Sequence, residues 1–362
     1  MTNKEKTGYR IVLLNFGSTS SEVGFLDRDG TASQHKIRHD DHLLSLPVGE
    51  QLAERTAAVN AWLAESGHDP ADIDAVVCRG GRIRPVRSGI YRVNRQLLDD
   101  SNNLENGDHA GRLSVLAGQE LAQPSGCPVF VVDPISVDEF EPVARVSGLA
   151  GIERKSLGHM LNSKYVAEKA ALELGIEYGH ARMIVAHLGG GATISAHRNG
   201  RMVDLINDFE GALTPERSGL LPTYEIVNLC RRHDLNDVSR MLEGRGGFFS
   251  YLGTKDFSAV VRLAAAGNSE AKLLLQAYLY QNDKSIAAML AVIDFRPDAF
   301  VLTGGIAHEA TVREHMRERF GQMAPVVIYP GGFEFEALME NAWLALQGKK
   351  PVRRYPDGEV PA

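Results

Sequence analysis

The sequence predicts two α/β domains, each built on a five-stranded mixed sheet with flanking helices. A strand, a glycine turn, a second strand, an Asx-Gly turn and a third strand occur in this order twice, over residues 10–38 and again over residues 183–206. An internal repeat of this kind is evidence about architecture. A further strand, 298–302, ends at two glycines and precedes a helical pattern, which is the geometry of many nucleotide sites. The 362 residues are enough for two domains.

The first domain is expected to span residues 1–150. Its repeat begins with the apolar strand 10–15, and the turn Gly17-Ser18-Thr19-Ser20 leads to two strands, 23–26 and 31–38, on either side of Asp29-Gly30. Hydrophobic periodicity then predicts a helix over 46–67, a strand over 73–78, a helix over 108–123 and a strand over 128–132.

The second domain is expected to span residues 151–333. In its repeat, Gly189-Gly190-Gly191 follows the first strand, and Asn199-Gly200 is a strong hairpin signal because both central positions of a type I′ turn need φ > 0. Helices are predicted over 154–174, 223–233, 236–243, 256–265, 269–294 and 309–320, strands over 298–302 and 325–329, and a loop over 245–253. The last helix, about 334–348, is expected to pack back on the first domain.

Composition excludes several classes of protein. Hydrophobic residues make up 44% and charged residues 23%, which is ordinary for a globular chain, and the net charge of -7 gives no support to nucleic-acid binding. Cys78, Cys127 and Cys230 show no paired spacing, which suits a reducing compartment and argues against a disulfide or zinc framework. The first residues lack the apolar core of a signal peptide, and no apolar run is long enough to cross a membrane. We expect a cytoplasmic protein without a membrane partner.

Candidate ligand-binding groups follow the predicted strands. The three glycines 189–191 can present backbone N–H groups to anionic oxygens, and Arg217 lies in a loop just beyond them, although an ordinary glycine-rich meander fits this stretch equally well. Arg79 follows a strand beside two glycines, where a ligand could approach closely, and we expect it to bind a ligand. Arg82 and Arg87 are expected to have a mostly structural or surface role. Asp133 ends a buried strand, a position suited to catalysis or to capping a turn.

Six motifs lie in order along nearly the whole chain: Asn15-Phe16-Gly17-Ser18-Thr19-Ser20, Arg79-Gly80-Gly81, His187-Leu188-Gly189-Gly190-Gly191, Pro215-Glu216-Arg217-Ser218-Gly219, Leu302-Thr303-Gly304-Gly305-Ile306 and Tyr329-Pro330-Gly331. Together they resemble those of the butyrate kinases of the acetokinase family, within the acetate and sugar kinase/Hsp70/actin superfamily. The resemblance implies two actin-like (ribonuclease H-like) domains with an active-site cleft between them. It also implies reversible, direct in-line transfer of a phosphoryl group from ATP to a short-chain carboxylate, butyrate or a branched relative.

The resemblance also implies roles for individual residues. Arg79 and Arg217 would hold the acceptor carboxylate and stabilise the transferring phosphoryl group, and His159 would donate a hydrogen bond to it. Asp133 would orient Mg²⁺, with Glu334 or Glu336 as the second acid. The residues that would contact the nucleotide are Asn15, Gly17, Ser18, Ser20, His187, Gly189, Gly190, Gly191, Gly304, Gly305 and Ile306, of which the 304–305 turn would lie against the adenosine. A carboxylate acceptor is already ionised at neutral pH, so no general base is assigned.

Two positions depart from the family pattern. Glu22 stands where these kinases usually carry lysine, and Phe16 stands where butyrate kinases usually carry proline. A carboxylate that faces the phosphates would weaken their binding, whereas on a strand the side chain can point to the opposite face. On sequence alone we expect Glu22→Lys to retain activity or to raise it.

Two alternatives to the butyrate kinase hypothesis stay open. One is an acetate or propionate kinase, although the forms Arg79-Gly80-Gly81 and Pro215-Glu216-Arg217 favour the butyrate branch. The other is a nucleotide-binding regulatory protein that has lost transfer activity, for which Glu22 is the best support. The expected partners are a small-molecule carboxylate, a nucleotide and further copies of the chain in a homo-oligomer, a dimer or higher.

Overall fold

The computed structural model describes residues 8–107 and 109–356, which fold into two compact α/β units. The first unit contains the chain up to Glu139 and again from Phe333, and the second unit is Phe140–Gly332. The chain therefore enters the second unit at Phe140, before the expected residue 151. Cys78, Cys127 and Cys230 are free thiols.

The described strands are β1 (Ile11–Phe16), β2 (Ser20–Leu26), β3 (Ala32–Arg38), β4 (Ala75–Cys78), β5 (Ile90–Arg92), β6 (Val129–Val132), β7 (Arg182–Leu188), β8 (Ala192–Arg198), β9 (Arg201–Ile206), β10 (Ala299–Gly304), β11 (Val326–Pro330) and β12 (Val352–Arg354). The described α-helices are α1 (Asp41–Ser45), α2 (Leu52–Glu65), α3 (Arg95–Asn102), α4 (Gly111–Leu121), α5 (Pro142–Arg145), α6 (Met160–Glu173), α7 (Thr223–Arg232), α8 (Leu235–Leu242), α9 (Gly247–Leu252), α10 (Phe257–Ala265), α11 (Ser269–Val292), α12 (Ala310–Phe320) and α13 (Glu334–Leu346). None of the described helices is long and apolar enough to cross a membrane.

The sheet of the first unit is larger than predicted. Its described strands run in the order β12-β5-β6-β4-β1-β2-β3, which is seven strands rather than five. The two additional strands, β5 and β12, pair with each other in parallel and have three residues each. Segments this short lack the alternation over four to eight residues that identifies a strand in a sequence, and arginines occupy half of these positions.

In the first unit, helices α2 and α3 pack against α4, and α4 packs on the sheet. Helix α2 begins at Leu52 rather than at residue 46, because Pro47 and a 3-10 turn over Val48–Gln51 precede it. Helix α4 begins at Gly111, and the predicted start of that helix, Asp108, lies outside the described residues. The last helix, α13, belongs to this unit and packs against β1 and β4.

The sheet of the second unit has the five strands predicted from the sequence, in the order β11-β10-β7-β8-β9. Asn199 and Gly200 join β8 to β9 with φ of 53° and 74°, as the type I′ turn requires. Helix α11 packs on β7, β8 and β9, and it buries Tyr278 and Ile286 in the core.

Two predictions in the second unit are corrected by the structure. The helix expected over 154–174 begins only at Met160. Residues 245–253 were expected to form a loop, yet Gly247–Leu252 is helix α9. Its Phe248 is fully buried, with ring centroids 5.5 Å from Phe257 and 5.7 Å from Tyr278. A single helical turn bounded by glycines has too few residues to show a helical period, and tertiary packing of one aromatic ring stabilises it.

Both sheets contain parallel strands whose carboxyl ends meet at one edge. In the first unit these are the neighbours β1, β4 and β6, and in the second they are the neighbours β7, β10 and β11. Ligands of open α/β sheets bind outside the carboxyl ends of the strands. Several candidate residues lie at or just beyond these ends, namely Asn15, Arg79 and Asp133 in the first unit and His187, Gly189, Gly190, Gly191, Gly304 and Gly305 in the second.

Candidate active site

In the first unit, three predicted site residues lie at the carboxyl ends of adjacent parallel strands. Asn15 is near the end of β1, Arg79 follows β4, and Asp133 follows β6. The backbone N–H of Arg79 donates to Leu14 O at 3.0 Å and so continues the pairing of β1 with β4. The guanidinium Nη1 then donates to Asn15 Oδ1 at 3.4 Å. The register of the sheet therefore brings Arg79 and Asn15 together.

The guanidinium of Arg79 pairs with no carboxylate among residues 8–107 and 109–356, and Asn15 is its hydrogen-bond partner. Arg84, from the same arginine-rich stretch, instead donates from Nε to Asp100 Oδ2 at 2.7 Å. Arg79 is thus a half-buried cation that can pair with the anionic group of a ligand.

The two glycines after Arg79 serve packing rather than the approach of a ligand. A Cβ on Gly81 would lie 2.4 Å from the backbone N of Arg112, and a Cβ on Gly80 would lie 2.8 Å from Val131 Cγ1. These distances leave no room for a side chain, so the glycines let the segment pass beneath the start of α4. The close packing of both glycines contradicts the argument that they admit a ligand, and Arg79 remains a candidate on other grounds.

The turn Gly17-Ser18-Thr19-Ser20 is supported from behind by Arg55, which the sequence analysis missed. Arg55 lies on α2 with no solvent exposure, and its guanidinium donates to Gly17 O at 3.0 Å and Ser18 O at 3.2 Å. Gln51 Oε1 accepts from the same guanidinium at 2.8 Å. Burial lowers the pKa of Arg55. An arginine on an amphipathic helix is ordinarily assigned to the solvent face, so its sequence context contains no signal for this contact.

Asp133 is held in an unusual conformation at the end of β6. Its φ is 37°, a region that residues other than glycine rarely adopt and that often marks functional sites. Its Oδ1 accepts from Ser88 Oγ at 2.7 Å and from Gly89 N at 2.8 Å. These bonds hold the carboxylate of a residue that is only 6% exposed.

The second candidate acids, Glu334 and Glu336, lie in the first turn of α13 and are half-buried. Between them, the Phe335 ring fills the space above Gly24, where a Cβ would lie 1.9 Å from Phe335 Cε2. The described residues contain no cluster of three His, Cys, Asp or Glu side chains suited to a metal. Mg²⁺ usually takes one or two protein carboxylates plus substrate phosphates and water, and the oxygen chemistry of Asp133 and these glutamates fits that need.

In the second unit, the glycine turn after β7 has two amides available to an anion. Gly189 N donates to Gly191 O at 2.9 Å, and Thr214 Oγ1 donates to Gly190 O at 2.7 Å. Within the part of the chain that the structure describes, the N–H groups of Gly190 and Gly191 have no acceptor. Adjacent backbone N–H groups of this kind form anion-binding turns.

Arg217 lies directly against this turn, and two carboxylates pair with its guanidinium. Nη1 forms an ion pair with Asp208 Oδ2, and Nη2 lies 3.0 Å from Glu243 Oε1. A Cβ on Gly191 would lie 2.6 Å from Arg217 Nη1, so only glycine permits this approach. Burial lowers the pKa of Arg217, and the charge of Glu243 opposes that effect. Asp208 and Glu243 lie in different segments from Arg217, and no local motif marks them.

His159 and His187 form a stacked pair with ring centroids 3.9 Å apart. His159 precedes α6, and its Nδ1 lies 2.9 Å from Thr193 Oγ1. Asn162, one turn into the same helix, places Nδ2 2.7 Å from His187 Nδ1. The amide NH₂ can only donate, so Nδ1 of His187 accepts and the proton of the neutral ring is on Nε2. Asn162 is a further residue that sequence reasoning missed.

In the turn after β10, some positions are closely packed and others are accessible to a ligand. A Cβ on Gly304, whose φ is 90°, would lie 2.3 Å from Leu188 O, so this glycine lets β10 approach β7. Nothing lies within 4 Å of a Cβ on Gly305. The side chain of Ile306 belongs to the hydrophobic core. Gly305 and the backbone of Ile306 are therefore the parts of this turn that can contact a ligand.

Comparison with known proteins assigns the family. A family model described as the acetokinase family matches residues 150–327. A protein from Caldanaerobacter subterraneus subsp. tengcongensis, described as probable butyrate kinase 2, is 38% identical over 352 residues, which cover 96% of this chain and 99% of the relative. The chain belongs to the acetokinase family.

Solved structures agree with the fold of this acetokinase-family chain. The acetate kinase of Porphyromonas gingivalis superposes with a TM-score of 0.77 at 19% identity, over 93% of this chain and 100% of that one. A propionate kinase from Francisella tularensis subsp. tularensis SCHU S4 gives a TM-score of 0.74 at 18% identity, over 92% and 98%. The predicted fold of two actin-like α/β units is confirmed, with the first sheet extended to seven strands.

Proposed function

We propose that this acetokinase-family protein transfers the γ-phosphoryl group of ATP directly and reversibly to the carboxylate of butyrate or a branched relative. The choice of acyl group is supported by 38% identity with the probable butyrate kinase 2. The observation that most strongly supports carboxylate phosphorylation is Arg79, a cation without a carboxylate partner among the described residues, at the same sheet edge as Asp133 and the 17–20 turn.

Phosphoryl transfer requires that donor and acceptor be held in line with positive charge around the transferring group. We assign the acceptor carboxylate to Arg79, oriented by Asn15. Because the acceptor is ionised at neutral pH, the reaction needs no general base. Arg79 would offset the repulsion between the acceptor carboxylate and the phosphates of ATP as they approach each other.

Arg217 is assigned to the charge on the transferring phosphoryl group. Asp208 and Glu243 hold its two terminal nitrogens, which fixes the plane of the guanidinium. Its Nε–H is buried with no acceptor within the described ranges, so a ligand oxygen would satisfy a donor that is otherwise costly to bury. His159 would add a further hydrogen-bond donor.

The phosphates of the nucleotide are assigned to backbone amides. Gly190 and Gly191 offer two N–H groups, and the 17–20 turn offers the hydroxyls of Ser18 and Ser20. His187 stands at the start of the glycine turn, and Gly305 with the Ile306 backbone is assigned to the adenosine. Gly17 and Gly304 are assigned a structural role, because they shape the 17–20 turn and the turn after β10.

Mg²⁺ would be held through the Asp133 carboxylate and by Glu334 or Glu336. When bound, it would neutralise charge on the phosphate oxygens. The two hydrogen bonds to Asp133 Oδ1 orient that carboxylate, which is the contribution of this chain to the metal site.

The assay that tests this function is formation of acyl hydroxamate from ATP with acetate, propionate, butyrate and isobutyrate in parallel. We expect the highest kcat/KM with butyrate or isobutyrate. A preference for the two smaller acids would reassign the protein as an acetate or propionate kinase. No product from any of the four acids, together with micromolar ATP binding, would favour a nucleotide-binding regulatory protein.

We also propose that the protein is a cytoplasmic homo-oligomer, a dimer or higher. Helices α7 and α8 support this proposal, because Tyr224 is 84% exposed and Leu235 is 69% exposed there. Large exposed apolar side chains can be covered by a further copy of the chain. Sedimentation equilibrium tests the association, and a monomer at micromolar concentration would contradict it.

A further inference from the structure

Four side chains form a continuous polar row across the first sheet, from β3 to the end of β4. Glu22 on β2 stands opposite Asn15 on β1 and opposite Lys36 on β3, so these three side chains share one face of the sheet. Lys36 Nζ donates to Glu22 Oε1 at 3.2 Å, and Asn15 Nδ2 donates to Glu22 Oε2 at 3.0 Å. Arg79 Nη1 donates to Asn15 Oδ1 at 3.4 Å.

The chemistry of the row allows only one orientation of the Asn15 amide. A carboxylate only accepts hydrogen bonds and a guanidinium only donates them, whereas an amide has one end of each kind. Glu22 therefore holds the NH₂ end of Asn15 and leaves its oxygen facing Arg79. If the group at position 22 could only donate, the amide would turn, and its NH₂ would face a guanidinium that cannot accept.

The charge of Glu22 is a smaller effect than its hydrogen bonding. Its side chain is 32% exposed and that of Lys36 is 56% exposed, so the ion pair between them is solvated and contributes little stability. The pair nevertheless offsets the negative charge of Glu22, which reduces any repulsion of a nucleotide. Arg79, by contrast, has Asn15 as its hydrogen-bond partner among the described residues. The position of its guanidinium thus depends on the amide that Glu22 orients.

We propose that Glu22 is a positioning residue that acts through Asn15 to hold the Arg79 guanidinium in place for the acceptor carboxylate. This inference rests on the proposed function for the identity of the ligand. It also reverses the expectation drawn from the sequence, because Glu22→Lys replaces an acceptor with a donor next to Asn15. Glu22→Gln keeps one acceptor oxygen that can serve Asn15, removes the charge, and replaces the oxygen that accepts from Lys36 with an NH₂ group.

The test compares Glu22→Lys and Glu22→Gln with the control Lys36→Met, which removes the ion pair and leaves Asn15 bonded to Glu22. We expect Glu22→Lys to lower kcat/KM for the carboxylate tenfold or more at both low and high salt. Lys36→Met should stay within about threefold of wild type, because Asn15 keeps its acceptor at Glu22. Glu22→Gln should retain most of the activity that Glu22→Lys loses, because one acceptor oxygen remains for Asn15. In an Asn15→Ala background, Glu22→Lys should have no further effect, since coupled residues are not additive.

Crystal structures of the wild type and of both Glu22 variants give a readout that does not depend on turnover. Arg79 should stay within hydrogen-bond distance of Asn15 in Glu22→Gln and move away in Glu22→Lys. The inference is overturned if Arg79 keeps its position in both variants, if Glu22→Lys has wild-type kinetics, or if its defect disappears at high salt. Absence of carboxylate phosphorylation in the wild type would reject the proposed function, and the position of Arg79 would still decide the role of Glu22.

Discussion

Arg55 Nη1 donates to the carbonyl oxygen of Gly17 at 3.0 Å from a position that solvent does not reach. The same guanidinium contacts Ser18 O and Ser21 Oγ, so one side chain organises the whole turn that follows β1. Its partners are carbonyl, amide and hydroxyl oxygens, and no carboxylate neutralises it among the described residues. The turn assigned to phosphate therefore has a buried positive charge directly behind it.

Removing this guanidinium should both destabilise the first unit and weaken nucleotide binding. We expect Arg55→Ala to lower the free energy of unfolding by at least about 2 kcal/mol, because several buried oxygens would lose their donor. Arg55→Lys should keep the charge but recover only part of the loss, since one ammonium cannot reproduce the planar fork. Urea denaturation and the KM for ATP measure the two effects. Arg95→Ala, which breaks an exposed ion pair with Asp99, is the matched control and should change neither.

Arg79 should affect turnover more than folding. It is half-buried, and its one described hydrogen bond is the long contact with Asn15. Loss of one contact that stabilises transition-state charge typically lowers kcat by about 10²–10³, and we expect this for Arg79→Ala with little change in unfolding free energy. The control is Arg84→Ala, which removes a guanidinium paired with Asp100 from the same arginine-rich stretch. Equal loss of activity in both variants would argue that the effect is electrostatic and not specific to Arg79.

The candidate site could be predicted from sequence where its residues follow strands, and not where it depends on contacts between distant segments. Asn15, Arg79 and Asp133 each follow an apolar run, so the topology of parallel strands places them at one edge. Arg55 is separated from the turn by a whole hairpin, and Asp208 meets Arg217 through loop geometry that has no period. The same limit explains β5 and β12, since strands of three residues exist only because the neighbouring strand pairs with them.

His197 gives the second unit a predictable response to acid. It is fully buried between Tyr178 OH, 2.8 Å from Nδ1, and Ser195 Oγ, 2.9 Å from Nε2. Burial lowers its pKa well below the ordinary value, and the nearby charge of Lys164 lowers it further. The folded state therefore keeps this imidazole neutral, while the unfolded chain takes up a proton near pH 6.5. The stability that it provides is present above about pH 6.5 and is lost as the pH falls.

The contribution of His197 to the pH dependence of the unfolding free energy can be measured by comparing variants. In the wild type this one group should contribute a slope of up to about 1.4 kcal/mol per pH unit below about pH 6.5. His197→Gln keeps hydrogen-bonding atoms but cannot titrate, so its unfolding free energy should fall less steeply between pH 6.5 and pH 5. Parallel curves for the wild type and His197→Gln would contradict the assignment.

Substitution of Gly191 and substitution of Arg217 should have the same consequence for turnover. A Cβ at Gly191 would lie 2.6 Å from Arg217 Nη1 and 2.8 Å from Asp208 Oδ1, so Gly191→Ala must displace the ion pair. A Cβ at Gly190 would lie no nearer than 3.6 Å from Glu216 Oε1, which is ordinary contact. The backbone change is the same in both variants, and only one of them moves the guanidinium.

If Arg217 stabilises the transferring phosphoryl group, Gly191→Ala and Arg217→Ala should both lower kcat by about 10²–10³ while ATP binding changes much less. Gly190→Ala should keep most of the turnover. The double variant Gly191→Ala with Arg217→Ala should be no slower than Arg217→Ala alone, because both changes remove one interaction. Steady-state kinetics with titration calorimetry of a non-hydrolysable ATP analogue separate the two quantities. Near-normal turnover in Arg217→Ala would exclude the residue from catalysis, and a defect in Gly191→Ala that adds fully to it would mean that the glycine acts on the nucleotide independently.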